Sequence, residues 1–192
     1  MGSSSSRARR NGRPVKVLVI GSEGVGKTLL LRQLANMAKR GKAADIDTAT
    51  IPSIGTELMQ ILYAKANFVC RELGGSMIPV WPRYYEESDL ALFIVDSSSE
   101  PKLASATIEL LTALKAPGLA RKPFAIVLNK CDSPVRVPEA SVEGIMRMDD
   151  VIAFEEHAGR PIVCVRCSAL TAEGLTDLLD WLVSRAADVA AG

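Results

Sequence analysis

Val15-Lys16-Val17-Leu18-Val19-Ile20 is an apolar run with a single charge, bounded by Pro14 and Gly21, and it reads as a buried β-strand. Beyond it Leu30, Leu31, Leu34 and Ala38 recur at helical spacing, and Gly41 offers a C-cap. Leu58 to Lys65 and Phe68 to Glu72 are two apolar-rich runs separated by Ala66-Asn67, the pattern of an antiparallel hairpin. From there strands and helices alternate. Leu90 to Asp96 predicts a strand, and Ser99-Glu100-Pro101 opens a helix with Leu103, Thr107, Leu110, Leu111 and Leu114 on one face. Phe124 to Leu128 is the next strand, a helical region lies between Pro138 and Ala158, and Pro161 to Cys167 is the last strand. Leu175, Leu178, Leu179 and Leu182 mark the final helix. Such alternation implies a mostly parallel sheet covered on both faces, because a crossover helix is what returns the chain to lay the next strand parallel. The expectation is a single α/β domain over residues 14–190, with six strands, one antiparallel hairpin and about five helices. Residues 1–13, serine-rich then basic, predict a flexible tail.

Composition narrows the class. Of 192 residues, 48% are hydrophobic and 23% charged, so the chain can bury a proper core and has the balance of a soluble globular protein. A net charge of +1 gives no global field for nucleic acid, and no nucleic-acid partner is expected. No run approaches the roughly 20 apolar residues a membrane span needs, and no signal peptide is evident. The four cysteines then read as reduced thiols, and the expected location is cytoplasmic. Cys164-Val165-Arg166-Cys167 has the spacing of a metal or redox motif, or of two small residues where a strand runs into a loop. With no second such pair and only His157 as a histidine, the latter reading is preferred. Met1-Gly2-Ser3-Ser4-Ser5-Ser6 satisfies the N-myristoylation pattern, and a disordered leader or an appended segment fits it equally. An acylated Gly2 beside Arg7, Arg9, Arg10 and Arg13 would give peripheral membrane contact through the tail.

The chemistry begins directly after the first strand. Gly21-Ser22-Glu23-Gly24-Val25-Gly26-Lys27-Thr28 fits G-x-x-x-x-G-K-[ST], with a strand before it and a helix after it. In that context successive backbone N–H groups and the helix N-terminus face a polyphosphate, Lys27 reaches the β and γ phosphates, and the Thr28 hydroxyl holds Mg²⁺. Asn129-Lys130-Cys131-Asp132 follows the strand Phe124 to Leu128 at the carboxyl edge of the sheet, where open α/β sheets bind ligands. An aspartate there pairs with the N1–H and 2-amino group of guanine, whereas adenine would leave its carboxylate unsatisfied.

With both segments in hand, the chain resembles the Ras-like small GTPases, and within them the ADP-ribosylation-factor-like branch, from residue 15 to 185. Pro52-Ser53-Ile54-Gly55 is similar to the P-T-I-G of that branch's switch I. Glu72-Leu73-Gly74-Gly75-Ser76 is similar to the D-V-G-G-Q of its switch II, and Trp81-Pro82-Arg83-Tyr84-Tyr85 to its W-x-x-Y continuation. The resemblance implies a phosphate-loop, Ras-like G domain that binds GTP or GDP with Mg²⁺. It implies that Glu23, Gly24, Val25, Gly26, Lys27, Thr28 and Leu29 line the phosphates. Thr28, Ser53 and Glu72 would serve the metal, and Gly75 would give its N–H to the γ-phosphate. Asn129, Lys130 and Asp132 would hold the base, supported by Ser168-Ala169-Leu170. Catalysis would fall to Lys27, Gly75 and position 76. Three departures stand out: switch I carries Ser53 for threonine, switch II carries the longer Glu72 for aspartate, and Ser76 replaces the glutamine that orients attacking water. Glu72 is expected to serve the Mg²⁺ shell through water, and Trp81, Tyr84 and Tyr85 are either an effector patch or packing beneath the loop.

Three functions compete. The leading one is a switch that binds effector proteins in its Mg·GTP form and is reset by slow hydrolysis or by an exchange factor or activating protein, in membrane or ciliary protein trafficking. The second is a GTP-bound scaffold that scarcely hydrolyses. The third, a phosphate-loop kinase, is weakest because guanine-reading and switch-like segments occupy the stretches where an acceptor pocket and lid would be needed.

Overall fold

The computed structural model describes residues 13–43, 55–135 and 137–191. Among the described residues there are six strands, β1 Val15–Ile20, β2 Thr56–Tyr63, β3 Ala66–Leu73, β4 Leu90–Asp96, β5 Phe124–Asn129 and β6 Ile162–Arg166. They form one sheet in the order β2-β3-β1-β4-β5-β6, in which only β2 and β3 pair antiparallel. Among the described residues six α-helices accompany them: α1 Lys27–Arg40, α2 Pro82–Tyr85, α3 Glu100–Leu114, α4 Glu139–Met146, α5 Met148–His157 and α6 Leu175–Ala191. Short 3₁₀ turns cover Gly75–Val80 and Pro117–Leu119.

Period-two alternation within the strands builds two cores. Val15, Val17 and Val19 of β1, Leu90, Leu92 and Ile94 of β4 and Ala125 and Val127 of β5 face α1 and α6, whose Leu30, Leu31, Leu34, Leu175, Leu178, Leu179 and Leu182 are all buried. Leu18, Ile20, Phe93, Val95, Phe124 and Ile126 face the opposite way, onto α3, α4 and α5. Because both faces are covered, the central strands read as continuous apolar runs rather than alternating ones. The strand order reverses at β1, with β3 on one side and β4 on the other. Such a switch point opens a crevice at the carboxyl edge, where the loop after β1 emerges.

Several boundaries differ from the expectation. The hairpin turns at Ala64-Lys65, closed by the Tyr63–Ala66 pair, and not at Ala66-Asn67. Both turn residues have positive φ, 46° and 68°, as a two-residue hairpin turn requires. Neither is the Gly, Asn or Asp that normally marks such a turn, whereas Asn67 is, which is why the pattern points one step too far along. The single helical region between Pro138 and Ala158 is two helices divided by Arg147, whose left-handed φ of 50° caps α4 and starts α5. That division and the one-turn α2 add two helices to the four segments the pattern marks, so the described residues hold six where about five were expected. On α3, Leu111 is 38% exposed and Ala106 and Ala113 take the inward places instead.

Candidate nucleotide-binding site

All five parallel strands end on one edge of the sheet, and the loops that follow them converge there. Lys27, the first residue of α1, is 5% exposed, and its Nζ donates to the carbonyls of Gly21 and Ser22 at 2.8 Å each. Burial lowers its pKa, while the carboxylates of Glu72, Glu109 and Glu23 oppose that shift. Close approach requires glycine at Gly26 and Gly75, among other positions. A Cβ on Gly26, which has a φ of 93°, would lie 2.6 Å from Asn129 Nδ2, and one on Gly75 would lie 2.1 Å from the backbone N of Glu23. The start of the 3₁₀ turn therefore packs directly on the phosphate loop.

Asn129 ties three segments together. Its Nδ2 donates to the Val25 carbonyl at 2.8 Å, and its Oδ1 accepts the backbone N–H of Ala169 at 2.9 Å. Lys130, at a φ of 67°, donates to the Gly24 carbonyl at 2.7 Å and to Asp96 Oδ2 at 2.8 Å. Ser168 is fully buried and accepts the backbone N–H groups of Leu170 and Thr171 through its Oγ, which shapes the third loop. Beside this network lies a cavity of about 410 Å³, lined by Gly26, Leu29, Asn129, Lys130, Asp132, Ala169 and Leu170 among others, with the Asp132 side chain exposed.

Asp96 belongs to no motif that sequence reasoning picked out, although an aspartate ending a seven-residue buried strand at the carboxyl edge is a legible signal. It is 1% exposed and accepts from Lys102 at 2.7 Å as well as from Lys130. Burial alone would raise its pKa, but these bonds and those from Ser98 hold the carboxyl well below the usual range. A second omission is Glu109 of α3, which accepts a 2.7 Å hydrogen bond from Ser22 Oγ in the loop. No local pattern marks it, because it is one acidic residue on an ordinary helix.

On the opposite side, Thr28 Oγ1 donates directly to Glu72 Oε1 at 2.7 Å. The extra methylene of Glu72 therefore does not hold the carboxylate away from the Thr28 hydroxyl. A hydroxyl and a buried carboxylate in contact suit a hard divalent cation with oxygen ligands. Ser53, together with Pro52 and Ile54, lies outside the described residues, as do residues 1–12 of the tail. Ser76 is exposed, in the 3₁₀ turn. Trp81 and Tyr85 are packing residues: Trp81 is 1% exposed, donates to the Gly74 carbonyl at 3.3 Å and meets Phe93 edge-on at 6.4 Å. Tyr84 is half-buried beneath the Arg71 guanidinium, 5.2 Å from its ring centroid. Cys164 lies on β6 and Cys167 one residue beyond it, with burial pushing their thiols up to about 11 and about 12, and His157 is exposed at the end of α5.

A phosphate loop at a sheet switch point, an aspartate-lined cavity behind it and a hydroxyl–carboxylate pair beside it define a nucleotide-binding protein of Ras-like topology. Comparison with known proteins makes the assignment narrower. The chain belongs to the ADP-ribosylation factor family, whose profile it matches over residues 2–186. It is 35% identical to human ADP-ribosylation factor-like protein 16, over 86% of this chain and 83% of that one. It is 30% identical to ADP-ribosylation factor-like protein 1 of Drosophila melanogaster, over 88% of each chain. Its fold matches that of the Arl6 (BBS3) small GTPase of Trypanosoma brucei, solved with the bound nucleotide analogue GppNp. The TM-score is 0.72 at 22% identity, covering 92% of this chain and 99% of that one. The protein is a GTP-binding small GTPase of the ADP-ribosylation factor family and a molecular switch.

Proposed function

We propose that this chain binds GTP and GDP with Mg²⁺ at the carboxyl edge of its sheet, engages effector proteins in the GTP form, and hydrolyses GTP slowly. The observation that carries the reading is the exposed Asp132 carboxylate in a cavity continuous with Gly26 and Leu29 of the phosphate-loop segment. In this reading the N–H groups from Glu23 to Leu29 and the Lys27 ammonium hold the phosphates, and Asp132 accepts two donors from guanine. Asn129 and Lys130 keep the base loop against the phosphate loop, and Ser168, Ala169 and Leu170 complete the base cavity. Thr28, Ser53 and Glu72 serve the metal, which when bound neutralises charge on the phosphates. Gly75 offers its N–H to the outermost phosphate and so couples nucleotide state to the 3₁₀ turn.

Slow turnover rests on Ser76. In Ras-like proteins a glutamine orients the attacking water, and positioning is most of the catalysis available. A serine side chain is too short to span the phosphate and an in-line water together. The exposure of Ser76 also favours a second reading, a GTP-loaded scaffold reset by an exchange factor rather than by hydrolysis. Family membership supports a role in membrane or ciliary protein trafficking, from the cytoplasm, with membrane contact supplied by the tail if Gly2 is acylated.

The test is to purify the protein, identify its co-purifying nucleotide, and titrate it with GTP and ATP by calorimetry. Guanine nucleotide and a preference for GTP well beyond tenfold are expected. ATP binding within tenfold of GTP would mean that Asp132 does not read the base.

A further inference from the structure

Glu109 lies outside both nucleotide motifs, yet it is the side chain that α3 sends to the phosphate loop. Its Oε2 accepts Ser22 Oγ at 2.7 Å, a bond between residues 87 positions apart. Ser22 is the second residue of the loop, and its carbonyl accepts Lys27 Nζ at 2.8 Å. Glu109 and the loop cation are thus bound to the same residue. Gly75 closes on that spot as well: its Cβ, were it present, would lie 2.5 Å from the Ser22 carbonyl carbon.

The orientation of a nucleotide follows from the opposite end of the loop. Gly26 and Leu29 line the base cavity with Asp132. A nucleotide with its base there must extend its phosphates back along the loop, so the outermost phosphate lies toward Ser22, Glu23 and Gly75. That is the end at which Glu109 is anchored. Solvent screens a half-buried carboxylate only in part, so its repulsion of a phosphate grows with each negative charge brought close. Glu109 is also among the three carboxylates that act on Lys27, so part of that cation's attraction is satisfied within the protein.

We propose that Glu109 is a specificity-determining residue that sets the balance between nucleoside diphosphate and triphosphate, its charge disfavouring the triphosphate. The proposal rests on the reading of this edge as a guanine-nucleotide site. It differs from a loop anchor in the sign of its effect. Losing an anchor loosens the loop and weakens both nucleotides, whereas losing a repelling charge strengthens binding of the more highly charged one.

The test is a competition titration of GDP and GTP, each with Mg²⁺, against a fluorescent guanine nucleotide on the full chain. Glu109→Gln keeps the shape and an acceptor for Ser22 but removes the charge, and Glu109→Met removes the charge with similar volume. Both variants should tighten GTP about three- to tenfold and change GDP by less than about twofold, as expected for one partly screened charge. Weakening of both nucleotides by the same factor in the Glu109 variants, or an unchanged ratio, overturns the proposal. If the unaltered protein bound neither nucleotide, the site reading would fall and this proposal with it, so the two failures are distinguishable.

Discussion

The base side and the outer-phosphate side of the site are built differently. On the base side, Asn129 and Lys130 reach across 104 and 106 positions of sequence to the carbonyls of Val25 and Gly24, and Asn129 also holds Ala169 of the last loop. On the outer-phosphate side the Thr28–Glu72 hydrogen bond and the packing of Gly75 on the loop meet an exposed Ser76. The contrast assigns stability and selectivity to different places. A preorganised base cavity costs little to occupy and discriminates by unmet hydrogen bonds. A side whose 3₁₀ turn rests on the loop by packing can adopt a second arrangement when a phosphate arrives, which a switch requires.

The largest expected effect strikes the hinge between the two sides. Lys27→Ala should weaken GTP and GDP at least about a hundredfold, because charge-assisted hydrogen bonds worth roughly 1.5–3 kcal/mol each are lost. A fluorescent-nucleotide titration giving unchanged affinity would remove the phosphate loop from the mechanism. Next comes Asp132→Asn, expected to cost GTP about 2–4 kcal/mol and to improve binding of xanthosine triphosphate, whose base reverses the donor pattern. Calorimetry with both nucleotides checks the exchange of preference.

A sharper comparison uses protein without added nucleotide. Asn129→Ala should lower unfolding free energy by about 1–3 kcal/mol, since the Val25 carbonyl and the Ala169 N–H both lose a buried partner. Ser76→Ala, on the exposed side, should change it by less than about 0.5 kcal/mol. Equal effects in denaturant titrations would show that the two sides are anchored alike. A modest change in barrier is expected in turnover. Unaided hydrolysis in glutamine-bearing relatives runs on the order of once per hour, and this chain should be slower. Ser76→Gln should accelerate single-turnover hydrolysis by several-fold, on the order of 1 kcal/mol in barrier. No acceleration would mean that the water is positioned by another group.

Local pattern is enough for the strands and for the loops that carry chemistry. Val15–Ile20 and Leu90–Asp96 have the boundaries their apolar runs predict, because a strand buried on both faces is apolar at nearly every position. The phosphate loop and Asn129-Lys130-Cys131-Asp132 are legible because each is a short contiguous run whose residue types form a recognisable pattern. The hairpin turn escapes local pattern because Ala64-Lys65 adopts positive φ without a residue that favours it. There the antiparallel register of β2 on β3 decides the turn, at a cost in backbone energy that no four-residue pattern reveals.

Residues close together in the chain are enough to specify an alternating α/β order, a polyphosphate motif and a guanine motif. What the motif residues bind within the protein emerges only when the chain is folded. Asn129 and Lys130 are fasteners between loops, Asp96 is the buried carboxylate that fixes Lys130, Glu72 reaches Thr28 directly despite its length, and Glu109 enters the site from a helix. The physical reason is common to all of them. Hydrogen bonds act over about 3 Å in space, and these partners lie between 34 and 106 positions apart, so their pairing exists only once the sheet has brought the strand ends to one edge.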